Sequence, residues 1–289
     1  MRPRRRLAGA LAALALLASC KGERPPKPAP ALWEVTGENG AHAFLFGTVH
    51  SLPDGYEWTT PELERAFAGS EELLVEVDLA ARRGSIAGIF DRLGHSPGLP
   101  PLGQRLPAAE RAQLEQALAG KGLSDADFAG MESWAAAIAL SQAYDDRGGD
   151  GVDLALLKAA KGKRVVELEG AEKQLRIFDA LPEQEQRDLL AAVAQEALEG
   201  DAKSDARLQA WLRGDTNALV KETHEDMLAD PELREALLVA RNRDWAGRIA
   251  GEMGTGKTVF VAVGAAHTVG PDGLAALLEA KGFTVKRVQ

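Results

Sequence analysis

The chain has 289 residues, 45% of them hydrophobic, enough for one large or two small domains with a real core. Its formal net charge of −9 disfavours nucleic acid and anionic lipid as partners, and a single cysteine, Cys20, excludes an intramolecular disulfide.

In chain order, MRPRRRLAGALAALALLASC combines a basic start, a short apolar run and small residues ahead of Cys20, the build of a secretory signal over residues 1–19. The apolar run is too short to span a bilayer. LASC is similar to the processing box of bacterial lipoproteins, in which the cysteine becomes the lipidated first residue. Lysine rather than aspartate at position 21 resembles sorting to the outer membrane of a Gram-negative envelope. Loss of the leader removes Arg2, Arg4, Arg5 and Arg6 and takes the formal charge from −9 to −13. KGERPPKPAPA, residues 21–31, is too stiff and too poor in apolar groups to fold. It is predicted to be a tether, with the anchor as the only membrane attachment and one domain over 32–289.

Strand-like runs follow at LWEVT (32–36), AFLFG (43–47), ELLVEVDL (72–79), RVVELE (164–169), TVFVAVG (258–264) and FTVKRV (283–288). Helical runs between them predict an α/β fold, a central sheet with strands from both ends of the domain and a large, mostly helical middle over about 80–250. Within that middle, residues 125–146 read as one long apolar helix packed on the sheet, and residues 182–200 as a more amphipathic helix ending at Gly200. GEMGTGKT, residues 251–258, fits the phosphate-loop pattern G-x-x-x-x-G-K-[ST], but a phosphate loop runs from strand to helix. Here Leu233, Leu237, Leu238, Arg241, Trp245 and Ile249 mark a helix before it, and TVFVAVG a strand after it. The glycines therefore end a helix, and no nucleotide site is expected.

AFLFGTVHS and VFVAVGAAHTVG are each an apolar strand followed by G-x-x-H, pairing Gly47 with His50 and Gly264 with His267. Ligands of open α/β sheets bind at the carboxyl ends of strands, and two-residue alternation puts Glu76 and Asp78 on one face of a third strand. Two imidazoles and a carboxylate on one rim suit a divalent metal with an open position for water; the plainer alternative is that each histidine caps its strand with a hydrogen bond.

These blocks, with GVDLALLKAAKGKRVVELEGAEKQL (151–175) and the long final block (259–288), resemble the TraB/GumN family, also called Tiki-like, over roughly residues 32–289. The resemblance implies a fold like that of erythromycin esterase and the ChaN haem-binding proteins. It also implies a metal-dependent peptidase activity, as described for animal members, with His50, Glu76 and His267 in the implicated positions. The same resemblance adds Asp153, Glu169 and Gln174, and ARNRDWAGRI matches a family Arg-Asn stretch at Arg241 and Asn242. Thr268 departs from the aliphatic residue usual after the histidine.

In this reading His50 and His267 hold manganese, cobalt or zinc. Glu76 either completes the ligand set or takes a proton from water, and Glu169 takes the role Glu76 leaves. Arg241 either neutralises an inward carboxylate, binds a substrate carboxylate, or is a surface charge on its helix. Asp153 also fits the cap of the helix that follows it. GHSPG, residues 94–98, fails as a serine-hydrolase elbow because Pro97 has no N–H for an oxyanion hole. His224-Glu225 lacks the second histidine of H-E-x-x-H, and His42 and His95 are expected to be exposed. The expected function is a lipid-anchored, envelope-facing hydrolase acting on a peptide or small molecule. The rival is a binding protein that sequesters a peptide, metal or haem without turnover, which an aromatic content of 5% makes less suited to haem.

Overall fold

A computed structural model describes residues 27–145 and 150–289; the leader, Cys20 and most of the Pro-rich segment lie outside these residues. All six expected strands form: β1 (Leu32–Thr36), β2 (His42–Thr48), β3 (Glu72–Val75), β4 (Arg164–Glu167), β5 (Thr258–Gly264) and β6 (Thr284–Arg287). They make one mixed sheet in the order β4-β3-β5-β2-β1-β6, in which β4, β3, β5 and β2 run parallel and β1 is antiparallel to both its neighbours. The helices in chain order are α1 (Pro61–Gly69), α2 (Leu79–Leu93), α3 (Leu102–Arg105), α4 (Ala108–Gly120), α5 (Ser133–Tyr144), α6 (Val152–Ala159) and α7 (Ala171–Asp179). They continue with α8 (Glu183–Glu199), α9 (Asp201–Leu212), α10 (Thr216–Glu222), α11 (Pro231–Arg234), α12 (Ala240–Met253) and α13 (Leu274–Ala280). Among the described residues no helix is long and apolar enough to cross a membrane.

Central β5 is apolar from Val259 to Val263 and fully buried, as expected of a parallel strand covered on both faces. Its side chains join Phe46, Leu74, Trp211, Trp245 and Met253 in a core around the sheet. Local chemistry sets the element ends. Thr60 caps α1 by accepting from the Leu63 amide, with Pro61 in the first turn. Asp230 caps α11 in the same way. Gly256, at φ +79°, turns the chain from α12 into β5. The GEMGTGKT segment thus runs from helix to strand, and its lysine, Lys257, pairs with the buried carboxylate of Glu72 rather than facing an anion site.

The middle of the chain departs from expectation in two ways. Residues 125–145 do not form one helix: a 3-10 turn, Asp125–Phe128, is separated from α5 by a break at Gly130, whose φ of +74° is costly for other residues. Nor does α5 cover the sheet. It packs on α8, and Trp134 and Leu140 join Leu114, Leu189, Leu190 and Leu237 in a second, wholly helical core. An apolar helix needs a partner, and α8 supplies an apolar face in a layer of its own. His42 is only half-buried and bonds Glu34 at 3.0 Å across β1 and β2, whereas His95 is exposed as expected.

Candidate functional site

Because β4, β3, β5 and β2 are parallel neighbours, their carboxyl ends share one rim, and each leads into a residue singled out in the sequence. Glu169 follows β4, Glu76 follows β3, His267 lies in the 3-10 turn Ala265–Thr268 after β5, and His50 follows β2. β3 stops at Val75, so Glu76 lies just past strand geometry, and its carbonyl accepts the amides of Glu169 and Gly170 at 3.3 and 3.0 Å. Those bonds hold the two acidic ends together. Asp78, by contrast, turns away to accept from the Ala80 amide at the start of α2.

The glycines of the two repeats do different things. A Cβ on Gly47 would lie 2.9 Å from the Ala265 Cα, so only glycine lets β2 pass the turn after β5. The Gly47 carbonyl accepts from the Trp211 indole at 2.8 Å. A Cβ on Gly264 would instead fall 3.3 Å from Glu76 Oε1, 3.6 Å from His267 Cδ2 and 3.7 Å from His50 Nε2. Three site residues therefore face one small space left by a missing side chain. Thr268 is buried, and its hydroxyl is satisfied by the Ala265 carbonyl at 2.8 Å, which removes the cost of its departure from an aliphatic residue.

Glu76 is buried and accepts three hydrogen bonds: Oε1 from the Gly264 amide at 2.7 Å, and Oε2 from Arg241 at 2.8 Å and Gln174 at 3.2 Å. Burial pushes its pKa up, but the charges of His267, Arg241 and His50 outweigh burial and hold it at about 2. At neutral pH Arg241 and the raised His50 are the cations among them, because His267 is neutral. Glu169 has a side chain 0% exposed, and both its oxygens take the Arg241 fork, at 2.5 and 3.2 Å. Burial raises its pKa against the pull of Arg241. Arg241 is thus an inward charge between two carboxylates, not a surface charge on its helix.

His267 is buried beside the Trp245 ring, 4.5 Å between centroids. Asn242 donates to the Asp272 carbonyl at 2.7 Å, which fixes its other atom as an acceptor, and that Oδ1 lies 2.6 Å from His267 Nδ1. Nδ1 must then carry the proton, leaving the Nε2 lone pair toward the rim, where Arg241 donates to it at 3.2 Å. Burial lowers the His267 pKa to about 3, so the ring is neutral. Asn242 and Arg241 both follow a π turn, Glu235–Val239, whose Leu237 carbonyl accepts from Arg241 at 2.9 Å.

His50 is the open member of the set, its side chain 72% exposed. Asp153 binds its Nδ1 at 2.9 Å through Oδ2 and accepts from the Thr48 hydroxyl at 2.5 Å through Oδ1. That hydrogen bond, with the Asp153 charge, raises His50 to about 9. Asp153 does not cap α6: Gly151 holds that position, and Asp153 lies in the first turn aimed at β2. A side chain on Gly151 would collide with the His50 carbonyl, and the Val152 amide bonds the Val49 carbonyl at 2.9 Å, so α6 docks directly on the G-x-x-H segment.

The donor chemistry fits a divalent ion. Each imidazole has Nδ1 engaged by an acceptor, the arrangement that orients metal-binding histidines, and Glu76 is ionised; His267 turns its Nε2 lone pair to the rim, while His50, protonated at neutral pH, would have to give up its Nε2 proton to an incoming ion. Among the described residues the donors that already lie within 4.8 Å of one another in a group of three are Glu185, Asp230 and Glu232, in the helical layer, not the rim set. The rim donors stand farther apart, with the Arg241 guanidinium against two of them. Sequence reasoning passed over Thr48, which lies inside the first motif itself, and Trp245, whose apolar helical spacing signals only burial.

The chain is 26% identical over 253 residues to proteins named "Uncharacterized protein YbaP" from Shigella flexneri and from Escherichia coli (strain K12), covering 85% of this chain and 90% of each relative. No solved structure matches it. The model of the TraB/PrgY/gumN family matches residues 31–287, a span that holds the whole sheet and every rim residue above, and the chain belongs to that family.

Proposed function

We propose that the protein is a metal-dependent hydrolase of the cell envelope, with peptides as its substrate class and Cys20 as its lipid anchor. The observation that carries the reading is the convergence on one rim of two imidazoles, each with Nδ1 fixed by an acceptor, and a buried ionised carboxylate. His50, His267 and Glu76 would hold manganese, cobalt or zinc. Such an ion, when bound, lowers the pKa of a coordinated water and polarises a carbonyl oxygen.

The remaining residues prepare that chemistry. Asn242 holds His267 in the tautomer that presents Nε2, and Asp153 holds the His50 ring by Nδ1 on the open side, where a substrate can approach and where a bound ion would displace the Nε2 proton. Glu76, held at about 2, is a weak proton acceptor, which favours its service as a ligand. Glu169 has no exposed side-chain surface and both oxygens on Arg241, so it orients Arg241 rather than touching substrate. The peptide class, and a fold like erythromycin esterase and ChaN, are what the family resemblance implies.

The test is turnover of a quenched fluorescent peptide library by the purified protein with added manganese, cobalt or zinc. Cleavage that is lost on chelation and in folded His50→Ala and His267→Ala proteins is expected. Peptide or haem binding without cleavage under any metal would replace this reading with that of a binding protein.

A further inference from the structure

Arg241 divides its donors between two sets of partners. One set is the rim: Glu76 Oε2 at 2.8 Å and His267 Nε2 at 3.2 Å. The other lies behind it: both oxygens of Glu169, at 2.5 and 3.2 Å, and the Leu237 carbonyl of the π turn at 2.9 Å. The guanidinium also lies over the Trp245 ring, with Cζ 4.6 Å from its centroid, and its side chain is only 10% exposed.

Counting lone pairs separates the two rim partners of Arg241 in their tolerance of a metal. A carboxylate has about four acceptor sites and can serve an arginine and a metal together. A neutral imidazole protonated on Nδ1 has one lone pair, at Nε2, and in His267 that pair already accepts from Arg241. It can bind a metal or accept from the guanidinium, never both, and two positive charges at that distance in a buried site repel strongly. If Arg241 withdraws from His267, Glu169 still offers it a two-pronged carboxylate and Trp245 an aromatic face, so it need not be released into solvent.

We infer that Arg241 is a built-in competitor for the metal: the guanidinium and a divalent ion exclude each other at His267 Nε2, and Glu169 keeps Arg241 in place when the ion enters. The inference rests on the reading of the rim as a metal site. It makes affinity for the ion a function of an internal ion pair, and it predicts that removing a charged residue from the heart of the site tightens binding.

The experiment is calorimetric titration of the purified protein with MnCl2, and separately with ZnCl2, in wild type, Arg241→Gln, Arg241→Lys and His267→Ala, with circular dichroism as the check on folding. Arg241→Gln should bind on the order of tenfold more tightly or better, since one nearby positive charge is gone. Arg241→Lys should fall between it and wild type, because an ammonium cannot fork across His267 and the carboxylates at once. His267→Ala should bind least. Unchanged or weaker affinity in a folded Arg241→Gln protein overturns the inference while leaving the metal site standing. If Arg241→Gln does not fold, Arg241→Lys decides: tighter binding than wild type supports the competitor role, and equal or weaker binding overturns it. No binding by wild type or by any variant removes the metal reading itself, and the inference with it.

Discussion

His50 and His267 are the same side chain in opposite electrostatic settings. Burial keeps His267 neutral, at about 3, while the Asp153 hydrogen bond and charge hold His50 protonated up to about 9. For His50 the folded value lies above the unfolded one of about 6.5, so its contribution to stability is fully present below pH 6.5 and is lost as pH rises through 9. For His267 the sign reverses: stability is present above pH 6.5 and lost as pH falls toward 3. Solvent screens the open His50 ring, so its part is the smaller one. In metal-free Asp153→Asn the His50 titration, followed by ring proton resonances, should move down toward 6.5; a midpoint still near 9 would show that Asp153 is not its cause. Glu76→Gln breaks a buried pair with Arg241 and should cost about 3–5 kcal/mol in denaturant unfolding. A loss within a few tenths of zero would mean that Glu169 alone balances the arginine.

At the scale of elements, the two G-x-x-H segments separate by what their glycines do. Gly47→Ala drives a Cβ into the Ala265 backbone and should cost about 1–3 kcal/mol of stability by overpacking. Gly264→Ala meets side-chain atoms at 3.3 Å or more, so it should fold near normally yet place a methyl among His50, Glu76 and His267 and abolish metal uptake. Equal effects of the two substitutions on unfolding and on metal content would contradict this division. The strands and both histidines were legible because an apolar run closed by G-x-x-H is a local signal that occurs twice. The role of Asp153 was not, because its partner His50 is 103 residues away and an acidic residue at a helix start looks like a cap. The setting of Arg241 was equally hidden: helical spacing alone does not distinguish an arginine facing solvent from one facing two carboxylates.

Over the whole molecule, the sheet core and the helical core are joined by the stretch from Pro231 to Met253. Leu233 and Leu237 lie in the helical core and Trp245, Ile249 and Met253 in the sheet core, with the π turn, Arg241 and Asn242 between them. The largely apolar α5 has no single apolar face and gives no sequence sign of which layer it joins, which is why its packing on α8 had to come from the structure. Trp134→Ala should cost about 3–5 kcal/mol in the helical core but leave the metal content of the folded protein unchanged; loss of metal with Trp134 would mean that the helical layer shapes the rim directly. The central question is whether the ends of β2, β3 and β5 build one metal site. The most direct measurement is elemental analysis of the protein purified without chelator and reconstituted with manganese, cobalt or zinc, beside folded His50→Ala and His267→Ala. Near-stoichiometric metal in wild type, lost in both variants, is the predicted result; no metal in wild type, or full retention in either variant, would contradict it.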